Sequence, residues 1–284
     1  VYAHNVQHSC DARNQNATGA LIAADIAHIH HLTRPIILPL TRGRPEMKKI
    51  ALIGGMSFES TAVYYRMINE MVRERIGGLA SADVLLHSVN FAEIVALQKA
   101  GRWDLAADAL TASARRLQEA GADCVLICTN TMHLVAPEVA GGIDVPLIHI
   151  IDETAKALAA KGLKRPLLLA TRYTMEHGFY AERMRDAGIE VMVPEADDRG
   201  AMHDIIFDEL CAGVVKPGSR ERAIAMIEAA KRQGADSIIL GCTEICLLLD
   251  PQDLPLPGID STAVHACAAV EFALAETAAE RAAA

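Results

Sequence analysis

The 284-residue sequence is short of the features that place a protein on a membrane or on nucleic acid. Hydrophobic residues make up 51% of the chain, yet no apolar run reaches the roughly 18 residues that a membrane-spanning helix requires. The 27 Lys and Arg residues are outnumbered by 36 Asp and Glu, and a net charge of −9 repels phosphate backbones. We therefore expect neither a membrane nor a nucleic acid as a partner.

The sequence also lacks the short motifs of the common cofactor sites. It contains no Gly-x-Gly-x-x-Gly, no phosphate-cradling loop and no Cys-x-x-Cys pair, so no dinucleotide, nucleotide or zinc ion is implied. The seven cysteines are odd in number and several lie inside apolar runs, which favours reduced thiols over disulfides. This composition predicts a cytoplasmic protein without a structural disulfide.

Residues 1–46 differ from the rest of the chain. They contain no Met and no sustained periodicity, and the run "MKKIALIGG" begins only at Met47. We expect the folded protein to begin at Met47, with residues 1–46 as an extension that is poorly ordered or not native. The histidines of this extension do not predict a metal site, because a structural zinc site needs four ligands with paired spacing.

From Met47 onward, short apolar runs alternate with helical patterns. This alternation is typical of parallel sheets flanked by helices, and predicts an α/β fold. A helix is predicted to begin after Ser57, which is a good N-cap residue, and to end at Gly77. Strands are predicted at residues 50–53, 84–88, 125–127, 147–150, 167–170, 190–193 and 237–240.

The sequence repeats itself across two halves. "GADCVLICTNT" at 121–131 aligns without a gap on "GADSIILGCTE" at 234–244, and "KIALIGGMS" at 49–57 aligns on "RPLLLATRY" at 165–173. The alignment further pairs "HSVNF" at 87–91 with "HDIIF" at 203–207, which makes His87 and His203 equivalent. We predict two pseudo-symmetric domains with an active-site cleft between them: residues 47–148 plus 260–277 form the first, and residues 149–259 form the second.

The register of the repeat places Thr129 opposite Cys242, and Cys128 opposite Gly241. Successive side chains of a strand point to opposite faces, so Cys128 is predicted to pack behind the sheet while Thr129 faces the cleft. Ligands of parallel α/β sheets bind beyond the carboxyl ends of the strands. The segments "GGMS", "CTNT", "TRYT" and "GCTE" all follow predicted strands, and we expect them to converge on one pocket.

Two related strand ends that face one small molecule suit the removal of a proton from one face of a carbon and its return to the other. The sequence therefore predicts racemisation or epimerisation, with Thr129 Oγ1 and Cys242 Sγ about 6 to 8 Å apart. Cys242 is predicted to act as a thiolate base, if backbone N–H groups or a cation stabilise its charge. Thr129 is a much weaker acid, so the two faces of the substrate are expected to react at different rates.

Four segments resemble the aspartate/glutamate racemase family, and most of all its enterobacterial amino-acid racemases: "GGMSFESTAVYYR", "CTNTMH", "ATRYTM" and "GCTEI". The resemblance covers about residues 47–276. It implies racemisation of aspartate, glutamate or a broader set of amino acids without pyridoxal phosphate or another cofactor, and it leaves a homodimer open. The family carries its first catalytic cysteine directly before the Asn, where this sequence has Thr129.

Substrate-binding groups are predicted from the same segments. Main-chain and side-chain donors for the α-carboxylate are expected at Met56, Ser57, Asn130, Thr131 and Thr243. Arg172 stands where many relatives carry a lysine for a distal carboxylate, and its planar guanidinium suits that contact. The resemblance also places Gln98 in the pocket, where a neutral residue leaves room for uncharged side chains.

Other interpretations of the same residues remain open. His133 follows the "CTNT" segment, where capping or packing explains a histidine as well as acid–base chemistry does. A related reaction is an alternative, such as hydantoin racemisation, maleate isomerisation or arylmalonate decarboxylation, the last of which needs only Cys242. A protein that binds amino acids with weakened catalysis is another.

Overall fold

The structure is a computed structural model that describes residues 47–275, so the predictions for residues 1–46 lie outside the described residues. Its strands are β1 (Ile50–Gly54), β2 (Val84–Ser88), β3 (Cys124–Ile127), β4 (Pro166–Leu169), β5 (Ser237–Leu240) and β6 (Gly258–Asp260). Its α-helices are α1 (Phe58–Ile76), α2 (Phe91–Lys99), α3 (Trp103–Glu119), α4 (Ala136–Gly141), α5 (Ile150–Ala160), α6 (Arg172–Glu176), α7 (Phe179–Asp186), α8 (Ala196–Asp204), α9 (Pro217–Arg232), α10 (Ile245–Leu248) and α11 (Ser261–Leu274).

The strands form two parallel three-stranded sheets, in the orders β2-β1-β3 and β4-β5-β6. Strands β1, β3, β4 and β5 are buried along their whole length, as strands covered by helices on both faces are. The predicted α/β class with two related halves is confirmed. No helix between residues 47 and 275 is both long and apolar enough to cross a bilayer.

Side-chain alternation divides the core around the first sheet. Ile50 and Leu52 of β1 belong to one apolar cluster with Tyr64 of α1, whereas Ala51 and Ile53 belong to the cluster on the other face. Helix α11 covers the first of these faces, since its Ala266, Ala269 and Val270 belong to the same cluster as Ile50. The second sheet and its helices, from α5 to α10, share one further cluster.

The internal repeat predicted from the sequence is confirmed by equivalent hydrogen bonds. Asp123 Oδ2 accepts from the backbone N–H of Lys49 at 2.6 Å, and Asp236 Oδ2 accepts from that of Arg165 at 2.9 Å. Both aspartates therefore fix the chain just before the first strand of their half. The ladders also end alike: the N–H of Cys128 bonds to Ile53 O at 3.0 Å, and that of Gly241 bonds to Leu169 O at 2.8 Å.

Three predictions about the elements are wrong. Residues 147–150 and 190–193 form only isolated bridges, at Leu147 and Met192, because each segment pairs at a single position before it turns away. The sequence reasoning missed β6, which is only three residues long. His87 and His203 are not equivalent, because His87 lies in β2 and His203 lies in α8.

Candidate active site

One cavity lies at the carboxyl ends of the strands of both halves. Thr129 follows β3 of the first sheet and Cys242 follows β5 of the second, and both side chains line this cavity. Seven of the nine predicted site residues line it: Met56, Gln98, Thr129, Asn130, Thr131, Cys242 and Thr243. The cavity is also lined by Ser60, Phe91, Thr171, Ile206, Phe207, Cys211, Gly241 and Glu244, which the sequence reasoning did not select.

The two residues that follow β3 face different environments. Cys128 is fully buried in the apolar cluster with Tyr64, and burial raises the pKa of its thiol. The prediction that it packs behind the sheet is confirmed. Thr129 is half-buried and lines the cavity, and its Oγ1 has no hydrogen-bond partner within the described part of the chain. This hydroxyl is therefore free to contact a ligand.

Cys242 is paired with a carboxylate. Its Sγ lies 2.9 Å from Glu244 Oε2 and donates to it, while Ser57 Oγ donates to the other carboxylate oxygen, Oε1, at 2.7 Å. Ser57 also caps α1 as predicted, since its Oγ accepts from the N–H of Ser60. The hydrogen bond from Ser57 thus links the Cys242–Glu244 pair to the first half of the protein.

The environment of Cys242 differs from the one expected for a standing thiolate. Burial raises the pKa of the Cys242 thiol well above its ordinary value, and the negative charge of Glu244 raises it further. The expected cation beside the sulfur is replaced by an anion. Cys242 therefore rests as a thiol, and it becomes a base only when its proton moves to Glu244 or when a ligand brings positive charge to the pair.

We predict that Cys242 resists alkylation in the free protein. Iodoacetamide reacts with thiolate, so at pH 7.5 we expect Cys242 to be labelled at least about tenfold more slowly than glutathione, with a rate that still rises above pH 9. Peptide mass spectrometry measures this rate at each pH, and the Cys242→Ser variant identifies the peptide. Labelling of Cys242 as fast as that of the free thiol at pH 7.5 would contradict the raised pKa.

The orientation of the Asn130 amide is fixed by its neighbours. Ser261 Oγ donates its only hydrogen to Leu240 O at 2.9 Å, so it can only accept from Asn130 Nδ2, which lies 3.1 Å away. Asn130 Oδ1 is buried and has no partner within residues 47–275. Asn130 was predicted to donate to a carboxylate. Its unpaired group is instead an acceptor, which suits an ammonium group better.

Hydroxyl groups join the two halves beside the cavity. Thr131 Oγ1 lies 2.9 Å from Thr171 Oγ1 and 3.0 Å from Thr174 Oγ1, which belong to the second half. Ser60 Oγ of α1 lies 2.6 Å from Thr243 Oγ1. Each hydroxyl can donate or accept, so these groups can reorient their hydrogens toward an anionic ligand such as a carboxylate.

The cavity wall is apolar on another side. Phe91 and Phe207, one from each half, stack with ring centroids 6.5 Å apart, and Met56 and Ile206 line the same space. The buried Gln98 amide donates to Met132 Sδ at 3.1 Å. Glu244 is the only charged side chain among the described residues that line the cavity.

Arg172 does not belong to this set. It is the first residue of α6, its side chain is exposed, and it is absent from the described lining of the cavity. Ser57 is likewise absent from the lining, although it reaches the site through Glu244. A contact between Arg172 and a distal carboxylate stays a prediction, and it requires the arginine side chain to fold inward.

The fold and the site together define a class. Two related α/β halves hold a thiol, a carboxylate and an alcohol around one small cavity, which is the arrangement of an enzyme that moves protons on a small molecule. The profile of the family described as Asp/Glu/Hydantoin racemase matches residues 53–269. The chain belongs to this family, as its sequence motifs indicated.

Individual relatives agree with this assignment. The structure of a Yersinia pestis protein described as a candidate Asp/Glu racemase is 47% identical, covers 81% of this chain and all (100%) of its own, and superposes with a TM-score of 0.76. An aspartate racemase homologue from Pyrococcus horikoshii is 33% identical, with coverages of 80% and 99% and a TM-score of 0.71. The broad specificity amino-acid racemase RacX of Bacillus subtilis is 27% identical over 170 residues, which are 59% of this chain and 72% of RacX.

Proposed function

We propose that the protein racemises free amino acids without a cofactor, by removing the α-proton on one face and returning a proton on the other. The observation that carries this proposal is a shared cavity, which is lined by Thr129 from the first half and Cys242 from the second. Membership of the Asp/Glu/Hydantoin racemase family supports the same reaction class. The expected separation of about 6 to 8 Å between Thr129 Oγ1 and Cys242 Sγ leaves room for one stereocentre.

The Cys242–Glu244 pair supplies the base. An entering amino acid brings an ammonium group, for which Asn130 Oδ1 and the Glu244 carboxylate are acceptors, and this positive charge favours ionisation of the pair. Glu244 then takes the proton of the Cys242 thiol, and the thiolate takes the α-proton of the substrate. The hydroxyls of Thr131 and Thr243 are donors for the α-carboxylate, whose negative charge grows as the carbanion forms.

Thr129 serves the opposite face. Its Oγ1 has no competing partner among the described residues, so it can deliver a proton to the substrate directly or through a water molecule. The Thr129 hydroxyl then regains its proton from solvent. An alcohol cannot hold a standing negative charge near neutral pH, whereas Cys242 can hold one once Glu244 has taken its proton. We therefore propose that proton transfer on the Cys242 face is the faster of the two.

We further propose that uncharged amino acids are accepted as well as aspartate or glutamate. Met56, Phe91, Ile206 and Phe207 form the apolar part of the cavity lining, and the Gln98 side chain that also lines the cavity is neutral. These groups can pack against an aliphatic side chain but cannot neutralise a second carboxylate. The similarity to RacX, a broad specificity amino-acid racemase, is consistent with this proposal.

Incubation in deuterium oxide tests the function. We expect wild type to place deuterium on the α-carbon of several amino acids and to invert their configuration, as followed by mass spectrometry and chiral chromatography. A related decarboxylase would release carbon dioxide from malonates only, and a binding protein would do neither. Equal exchange rates from the two enantiomers would rule out the proposed asymmetry between the faces.

We predict that Thr129→Ala separates exchange from inversion. Without the hydroxyl, Cys242 can still remove an α-proton and return deuterium to the same face, so exchange with retention persists while racemisation falls by about tenfold or more. Thr129→Ser keeps the hydroxyl and serves as the matched control. The role of Thr129 is wrong if Thr129→Ala racemises as fast as Thr129→Ser does.

A further inference from the structure

His133 lies behind the turn that carries Thr129. It belongs to the 3-10 turn Thr131–Val135 and is only 2% exposed. The backbone N–H of Ile150 donates to His133 Nε2 at 3.2 Å, so this nitrogen carries no hydrogen. The hydrogen of the neutral ring must then sit on Nδ1, which donates to the carbonyl oxygen of Thr129 at 2.8 Å.

The neighbours of His133 keep it in this form. The centroid of its ring lies 4.6 Å from that of His149, the N-cap residue of α5, and 5.6 Å from that of His265 on α11. Arg183 of α7 and Asp152 of α5, the charged groups that act on His149, bond to each other. Burial holds the pKa of His133 well below its ordinary value, and the neighbouring histidines lower it further, so the ring stays neutral.

The hydrogen bond from His133 completes the anchoring of the Thr129 backbone. The N–H of Thr129 bonds to Ile127 O at 2.8 Å, so with the bond from His133 both polar backbone groups of Thr129 are fixed. Because β3 has already ended at Ile127, no ladder bond sets the direction of the Thr129 side chain. The His133 imidazole therefore fixes the backbone of Thr129, where the hydrogen bonds of the sheet no longer do so.

The second half anchors its equivalent residue differently. The carbonyl oxygen of Cys242 accepts from the backbone N–H of Ile245 at 3.1 Å, at the start of α10. The carbonyl of Thr129 thus accepts from a side chain, that of His133, whereas the carbonyl of Cys242 accepts from a main-chain N–H group. A substitution can therefore remove the anchor of Thr129 and leave the anchor of Cys242 in place.

We propose that His133 is a positioning residue for the Thr129 face of the reaction, and this inference rests on the racemisation proposed above. The neutral imidazole holds the Thr129 carbonyl and thereby aims the hydroxyl at the substrate. It takes no proton from the substrate, since it lies behind the turn and does not line the cavity formed by the described residues.

Two substitutions separate the two hydrogen bonds of His133. The amide nitrogen of His133→Asn superposes on Nδ1 and can still donate to Thr129, whereas the amide oxygen of His133→Gln superposes on Nε2 and can accept only from Ile150. We expect His133→Gln to lose at least about tenfold in racemisation, because a misplaced reacting group is costly, while α-deuterium exchange with retention stays within about twofold of wild type. His133→Asn should racemise within about threefold of wild type.

The measurement pairs chiral analysis with deuterium incorporation, and thermal unfolding checks that both variants fold. If exchange and racemisation fall in the same proportion in His133→Gln, or if His133→Asn is as impaired as His133→Gln, a structural role explains the residue and the inference is overturned. A wild-type protein that neither exchanges nor inverts any amino acid overturns the proposed function, and the inference falls with it.

Discussion

Replacement of Glu244 by glutamine should lower the racemisation rate by about two to four orders of magnitude, which is the usual contribution of a general base. The glutamine amide preserves the volume of the side chain, and its oxygen can still accept from Ser57 Oγ. It cannot take the proton of the Cys242 thiol, which the Glu244 carboxylate accepts at 2.9 Å in the native protein. The chiral assay measures this loss as a change in kcat.

The same substitution should make Cys242 easier to alkylate. The charge of Glu244 is one of the causes that raise the pKa of the thiol, so its removal increases the fraction of thiolate at a given pH. Catalysis and thiol reactivity therefore move in opposite directions, which a general loss of structure would not produce. The exposed Glu138 offers a matched control, because Glu138→Gln should leave both quantities unchanged. A kcat for Glu244→Gln within threefold of wild type, roughly 0.7 kcal/mol, would exclude Glu244 as the proton acceptor.

The sequence predicted the parts of the site that depend on local pattern. Buried apolar runs predict β1, β3, β4 and β5, and the repeat predicts the equivalence of the strand ends because both halves use the same ladder bond. Thr129 and Cys242 were found in this way. The repeat failed at His203, since a five-residue match carries too little information to distinguish a strand from a helix.

The parts that the sequence did not predict depend on contacts between distant segments. Glu244 stands two residues beyond Cys242 in the "GCTE" segment, and an acidic residue at a strand end was the signal available for it. Its bond to Ser57 spans 187 positions, so no local pattern shows which groups its carboxylate meets. The orientation of Asn130 depends in the same way on Ser261, 131 positions away. Arg172, the first residue of α6, is exposed, and no local pattern in the "TRYT" segment distinguishes it from the buried Thr171 beside it.

Acid should destabilise the protein strongly, because three buried histidines are neutral in the folded state. His133, His149 and His265 are 2%, 8% and 0% exposed, respectively. Burial lowers the pKa of His149 and that of His265 to about 4, and it lowers the pKa of His133 well below its ordinary value. In the unfolded chain each histidine titrates near about 6.5.

The sign follows from proton binding. Below about pH 6.5 the histidines bind protons in the unfolded chain but not in the folded state. Their contribution to stability is therefore complete above that pH, and it is lost as the pH falls toward about 4. Between pH 7.5 and pH 5, each histidine lowers the free energy of unfolding by about 2 kcal/mol, and the three together lower it by about 6 kcal/mol. Asp260 opposes this trend weakly, since burial raises the pKa of its carboxyl group and its protonation favours the folded state.

Urea unfolding at pH 7.5 and pH 5.0 measures the difference, with circular dichroism and the fluorescence of the single Trp103 as independent probes of one transition. His149→Asn is the informative variant. His149 Nδ1 accepts from the N–H of Ile151 at the start of α5, and an asparagine oxygen can make the same cap without titrating. The variant should therefore keep its stability at pH 7.5 and lose about one third less of it at pH 5.0. Free energies of unfolding that agree within about 1 kcal/mol at the two pH values would show that the buried histidines keep their ordinary proton affinity.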